Sequence, residues 1–124
     1  MNYEGNQPRV LFVCSAGLLR SPTAAIVTQR EWGWNTRAAG SETYALIPVT
    51  AVLIQWADRI ICMENEHRTR LNNVFAGYHM LERCEVLGIP DDYPRMDPAL
   101  IALILDALRI KASTNVIWGM PENQ

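Results

Sequence analysis

Residues 9–25 read RVLFVCSAGLLRSPTAA, and this stretch decides the fold. Val10 to Val13 is a short apolar run of β-branched and aromatic residues, the pattern of a buried strand. Cys14 ends it. Ser15 to Leu19 form a five-residue loop, and Arg20 and Ser21 open a helix, with Ser21 expected as its N-cap and Pro22 in its first turn. A loop of this kind wraps backbone N–H groups around an anion at the positive end of a helix. Gly17 permits the positive φ that such a cradle needs. Ser15, Ala16, Gly17, Leu18, Leu19 and Arg20 are therefore the expected phosphate-binding set. Arg20 would grip two oxygens with its planar fork. The Cys14 sulfur would sit at the bottom of the cradle, where N–H donors favour the thiolate. A thiolate beneath a bound phosphate is placed for in-line attack on phosphorus. A lone cysteine at a strand end is ordinarily a small buried hydrophobe, and C-x5-R by itself arises by chance. The conjunction of strand, C-x5-R-S-P and helix points to chemistry.

The segment V-L-F-V-C-x5-R-S-P resembles the signature of the low-molecular-weight protein tyrosine phosphatases, whose superfamily includes the thioredoxin-coupled arsenate reductases. The resemblance implies Cys14 as nucleophile, Arg20 as phosphate ligand and Ser21 as hydroxyl donor to the thiolate. Two positions depart from it. Gly17 stands where the family usually has an Asn that helps hold the loop, and Leu19 stands where a second Cys is frequent. The likeness continues through Trp56–Met63 (WADRIICM) and Glu66-His67-Arg68. It is nearest to a small bacterial and phage-type subgroup of predicted tyrosine phosphatases, which carries a Trp-Ala-Asp segment and an Ile-Pro-Asp-Asp-Tyr segment.

Further elements follow by pattern. The first helix is expected over 21–32, stopped by Gly33, with a second strand over 35–39. Residues 41–47 read as a loop and Pro48 as the opening of a second helix over 49–56. A third strand is expected over 58–63, a charged third helix over 64–75, an irregular stretch over 77–83 and a fourth strand over 84–87. Asp97 caps a last helix, with Pro98 as its first residue. That helix should run to about 112 on a stripe of Leu100, Ile101, Ile104, Leu105 and Leu108. Residues 1–8 and 113–124 read as tails, with Val116, Ile117 and Trp118 able to dock on the core. Strands alternating with helices argue for a parallel sheet covered on both faces. The expectation is one domain over 1–124: an α/β three-layer α/β/α sandwich with a four-stranded parallel sheet in the order 2-1-3-4 and the phosphate-binding loop after strand 1.

Ligands of such sheets bind beyond the carboxyl ends of the strands. Cys14 lies there, and so does Gly88-Ile89-Pro90-Asp91-Asp92-Tyr93. A leaving alkoxide or phenoxide needs a proton, and a carboxylic acid over the cradle supplies it. In the resembled family an Asp-Pro-aromatic segment does so. In that register Asp91 is the acid, Asp92 the second choice and Tyr93 the aromatic at the mouth. Cys62 and Cys84 read as structural, His67 as a surface or capping histidine, and His79 is given no role. Trp32, Trp34, Trp56 and Trp118 read as core or rim.

The formal charge of −2, with no basic run, argues against a nucleic-acid surface. No apolar stretch approaches the roughly 20 residues of a membrane span. Three cysteines at no zinc spacing suit a reducing cytoplasm. The expected function is a cysteine-dependent phosphomonoesterase, a protein tyrosine phosphatase working through phosphocysteine. It would act on a phosphotyrosine-containing protein or a small aryl phosphate, with phosphate and other oxyanions as ligands and with no metal or cofactor. The alternatives are an arsenate reductase of the same fold, which needs a resolving thiol, and an oxyanion-binding module without turnover, for which Gly17 is the best argument. Oligomeric state is not written in the sequence.

Overall fold

A strand without polar alternation has to be covered on both faces. The computed structural model, which describes residues 7–114, shows this for β1 (Arg9–Cys14), whose Val10, Leu11, Phe12 and Val13 are fully buried. The elements that follow are α1 (Arg20–Trp32), β2 (Asn35–Gly40), α2 (Ala51–Trp56), β3 (Arg59–Cys62), α3 (Asn65–Val74), α4 (Met80–Arg83), β4 (Cys84–Val86) and α5 (Pro98–Thr114). The strands pair in parallel in the order β2-β1-β3-β4, as the pattern predicts.

The pleat divides the core in two. Val10, Phe12 and Cys14 face α1 and α5, where Ala24, Val27, Trp32, Leu100, Ile104 and Leu108 are buried with Trp34 and Met63. Leu11, Val13, Ile60 and Cys62 face the opposite side, against Ile54 of α2, Leu71 of α3 and Met80 of α4. The expected α5 stripe is thus the packed face, with Ile101 and Leu105 at its margin. Trp32 and Trp34 are core and Trp56 packs at the margin of the second cluster; Trp118 lies outside the described residues. No helix among the described residues is long and apolar enough to cross a membrane.

Several boundaries differ from the expectation. Ser21 is not the cap of α1. The helix begins at Arg20, with Leu19 in the cap position, and Ser21 is buried inside the first turn. The α2 helix starts at Ala51, because Thr50 Oγ1 accepts from Leu53 N at 3.2 Å. Pro48 instead lies beside Gly40 in a parallel bridge. The stretch over 77–83 contains the short α4. Asp97 does cap α5, its Oδ1 accepting from Ala99 N at 2.8 Å, and the helix continues to Thr114, so residues 113 and 114 are not tail. Pro8 is not loose either: it is buried, and its carbonyl accepts from Asn35 N at 3.1 Å. The rest of the expected tails, including Val116 and Ile117, lies outside the described residues.

The end of β2 fixes where the loop after β1 can lie. Gly40 N donates to Ile47 O and Val49 N donates to Gly40 O, each at 2.9 Å, so the chain after β2 folds back over Gly40. A Cβ at Gly40 would collide with Ala45 Cβ and come within 2.6 Å of Ser15 O. Gly40→Ala should therefore force apart the loop after β1 and the loop after β2. The expected cost is about 1–3 kcal/mol, read as a lower midpoint in urea denaturation with an unchanged slope.

Candidate active site

Cys14 is the last residue of β1 and is buried. Its carbonyl accepts from Ser41 N at 2.8 Å, and the Ser15 carbonyl accepts from Glu42 N at 3.1 Å. In a trans peptide the N–H points opposite to the preceding C=O. The N–H groups of Ser15 and Ala16 are therefore aimed away from Ser41 and Glu42. Gly17 has φ 74°, and a Cβ there would come within 2.9 Å of the Ala39 carbonyl carbon and of Gly40 N. Glycine is used twice over at this position, for its backbone conformation and for its closeness to β2.

Ser21 Oγ lies 3.1 Å from Cys14 Sγ and within 3.4 Å of the Ala39 carbonyl. A hydroxyl at that distance can donate to a thiolate. The residue expected to cap the helix is instead turned to the sulfur.

Arg20 is only 2% exposed. Its NH1 donates to Glu64 Oε1 at 2.5 Å and to the Ile89 carbonyl at 2.8 Å. Its Nε is buried with no hydrogen-bond partner among the described residues, 3.8 Å from Asp91 Oδ1. A buried charged donor left open this way calls for an acceptor. A bound oxyanion above Cys14 meets that requirement.

The loop after β4 is held over the site at both ends. Ile89 N donates to Met63 O at 2.8 Å, and Met96 N donates to Thr23 Oγ1 of α1 at 2.9 Å. A cleft of about 260 Å³ is lined by Cys14, Ser15, Ala16, Leu18, Leu19, Arg20, Tyr44 and Asp91. Asp91 and Asp92 are both exposed, and Asp91 is the one on the cleft wall. Tyr93 does not line this cleft; it is half-buried against the apolar cluster that holds Cys14 and Ile89 together with residues of α1 and α5. The aromatic ring at the mouth belongs to Tyr44, from a loop in which the sequence shows no readable chemistry.

His67 is buried, not at the surface. It does cap: Nδ1 accepts from Glu64 N at 3.0 Å, and the Glu64 side chain takes the His67 N–H in return. Burial and the Arg20 guanidinium lower its pKa to about 4, outweighing Glu64, Glu42 and Asp91. Its Nε2 lies 3.0 Å from Ser15 Oγ. The E-x-x-H spacing of the cap is legible in sequence. The reach to Ser15, across 52 residues, is not.

Cys62 and Cys84 are buried in the other half of the core, across the sheet from Cys14. The Cys84 thiol beside it and burial push the Cys62 thiol up, and Cys84 Sγ lies 3.9 Å from Met80 Sδ. With Cys62 paired to Val86 and Cys84 to Ile60, the two cysteines stand two residues out of register. Neither shares a face with Cys14.

No family model matches the sequence, and no curated protein does either. Solved structures do match. A low molecular weight protein tyrosine phosphatase from Streptococcus pyogenes is 14% identical with a TM-score of 0.69, over 90% of this chain and 95% of that one. Wzb from Vibrio vulnificus, in complex with benzylphosphonate, is 22% identical with a TM-score of 0.66, over 88% and 99%. The YwlE arginine phosphatase of Geobacillus stearothermophilus is 20% identical with a TM-score of 0.60, over 86% and 94%. The chain has the fold of these phosphatases over nearly their whole length.

The lowered pKa of His67 makes folding depend on pH. In the unfolded chain the group titrates near its ordinary 6.5, in the folded one near 4. The folded state binds the proton less readily, so this contribution is complete above 6.5 and is lost as the pH falls toward 4. The limiting slope is about 1.4 kcal/mol per pH unit. Wild type should lose stability relative to His67→Gln over that interval, measured by urea denaturation at a series of pH values. Parallel curves would show that His67 keeps its ordinary pKa.

Proposed function

We propose that this protein is a cysteine-dependent phosphomonoesterase of the tyrosine phosphatase kind. The observation that carries the reading is the open, buried Nε of Arg20 beside a thiol that Ser21 reaches at 3.1 Å. A phosphoryl group seated there puts oxygens on Arg20 and on the N–H groups of Ser15 and Ala16, with phosphorus above sulfur. The thiolate attacks, the S–P bond forms and the P–O ester bond breaks. The leaving oxygen takes a proton from Asp91. Asp91, now ionised, takes a proton from water, the water oxygen attacks phosphorus, the S–P bond breaks, and phosphate and thiolate are released. Arg20 and the N–H groups stabilise the charge that develops on the equatorial oxygens. These steps draw only on groups of this chain.

The substrate proposed is a phosphotyrosine-containing protein or a small aryl phosphate. Benzylphosphonate bound to a protein of this fold supports an aryl group at the mouth, and Tyr44 is the ring placed to meet it. Because another such protein is an arginine phosphatase, phosphoarginine belongs in the same assay. Arsenate would fit the cradle, but reduction needs a second thiol within reach, and Cys62 and Cys84 lie across the sheet. Gly17 does not argue for a site without turnover, since its missing side chain is what lets the loop close on β2. Three free thiols suit work in the cytoplasm.

Cys14→Ser should abolish hydrolysis of p-nitrophenyl phosphate yet still bind vanadate. A serine hydroxyl is un-ionised at neutral pH, while the backbone cradle is unchanged. Residual activity near wild type would rule out the mechanism. Asp91→Asn should slow phenyl phosphate by about 10²–10⁴ and p-nitrophenyl phosphate far less, because an acidic phenol leaves without a proton. Asp92→Asn should do neither. If the two variants exchange behaviour, the acid is Asp92.

A further inference from the structure

Ser15 is the one residue between Cys14 and Arg20 whose side chain can make a hydrogen bond. Its Oγ lies 3.0 Å from His67 Nε2. The proton on that bond can be located. Glu64 N–H can only donate, and it points at Nδ1 at 3.0 Å, so Nδ1 carries no hydrogen. In a neutral imidazole the other nitrogen then carries it. Nε2–H therefore donates to Ser15 Oγ, and the Ser15 hydroxyl keeps its own hydrogen to turn elsewhere. A low pKa, set first by burial and then by Arg20, keeps the ring in this one form at neutral pH.

The same helix end holds the other end of the loop. Glu64, which caps α3 together with His67, takes Arg20 NH1 at 2.5 Å. Between these two anchors no other loop side chain makes a hydrogen bond, and the Leu19 carbonyl accepts from Thr23 Oγ1 of α1 at 2.7 Å. Ala16 and Gly17 offer no reach, and Leu18 and Leu19 are turned outward. On the β2 side the carbonyls of Cys14 and Ser15 are fixed by Ser41 and Glu42, which leaves the α3 side to Ser15 and Arg20.

We propose that His67 is a positioning residue of the active site: through Ser15 it pins the start of the phosphate-binding loop to the N-terminus of α3, as Glu64 pins the end through Arg20. This rests on the phosphatase reading for its effect on turnover, though not for its effect on the loop. His67 touches no substrate. A loop that drifts here misaligns N–H donors with the phosphoryl oxygens, and misplacement of about 1 Å can cost on the order of 100-fold.

Two substitutions separate pinning from capping. In His67→Asn the amide oxygen stands at the Nδ1 position and keeps the bond from Glu64 N, but the side chain is too short for Ser15. In His67→Gln the amide nitrogen stands at the Nε2 position and keeps the donor to Ser15, while the acceptor for Glu64 N is lost. The measurements are amide hydrogen exchange over residues 15–19 in the ligand-free protein, and kcat/KM with the inhibition constant of inorganic phosphate in an aryl phosphate assay.

His67→Asn should raise exchange in the loop, lower kcat/KM by about 10–100-fold and weaken phosphate in parallel. His67→Gln should recover most of that loss. Ser15→Ala, which leaves the α3 cap intact, should match His67→Asn, and the double variant should be no worse than either single one. If His67→Asn behaves as wild type and His67→Gln is the damaged variant, His67 only caps a helix and the proposal falls. The proposal falls equally if loop exchange in both His67→Asn and Ser15→Ala equals that of wild type. Should wild type hydrolyse no aryl phosphate, the phosphatase reading fails, and the exchange comparison still decides the positioning role.

Discussion

A guanidinium that is 98% withdrawn from water cannot be left alone, and the site is arranged around that constraint. Arg20 stands in the first turn of α1, yet its partners are Glu64, just beyond β3, and the Ile89 carbonyl, beyond β4. Pairing the charge therefore draws three separate segments to one point at the carboxyl edge of a parallel sheet, where such folds bind ligands. The pairing is incomplete. NH1 is used twice, while Nε, 3.8 Å from Asp91 Oδ1, has no hydrogen-bond partner among the described residues.

Two further constraints are steric. Gly40 and Gly17 let the loop after β1 lie directly on the backbone of β2, closer than any side chain would allow. With the loop so placed, Cys14 Sγ comes within reach of Ser21 Oγ. The pleat supplies the other constraint. Successive residues of a strand face opposite sides, so Cys14 goes with α1 and α5, and Val13 goes with Cys62 and Cys84 on the α2–α4 side. The chemistry open to Cys14 is thereby limited to groups on its own edge.

The N-terminus of α3 has a double use. Glu64 and His67 satisfy each other's backbone groups in a reciprocal cap, and each also reaches across to the neighbouring segment, Glu64 to Arg20 of α1 and His67 to Ser15 after β1. A device that would be local in any other helix here spans both ends of the site. It works because the carboxyl end of β3 lies beside that of β1, where Val13 pairs with Cys62.

The sequence by itself determined the sheet, the helices that cover it and the edge at which Cys14 lies. The run Val10–Val13, the period-3.6 stripe from Leu100 to Leu108 and the C-x5-R-S-P spacing are local patterns, and strand–helix alternation with right-handed crossovers admits few topologies. Those patterns put Cys14 and Arg20 at the carboxyl edge of the sheet, and it is the register of the family resemblance that singles out Asp91. Only the tertiary structure decided what those groups touch. Ser21 reads as a cap because serine favours that place, but it faces sulfur because the loop closes on β2. Tyr93 reads as the aromatic at the mouth by register, but the apolar side of α1 and α5 takes it, and Tyr44 fills the place from a loop without signal. His67 reads as a helix cap, and its bond to Ser15 depends on two segments 52 residues apart. Such contacts are set by how neighbouring strand ends are brought together, and no spacing along the chain encodes them.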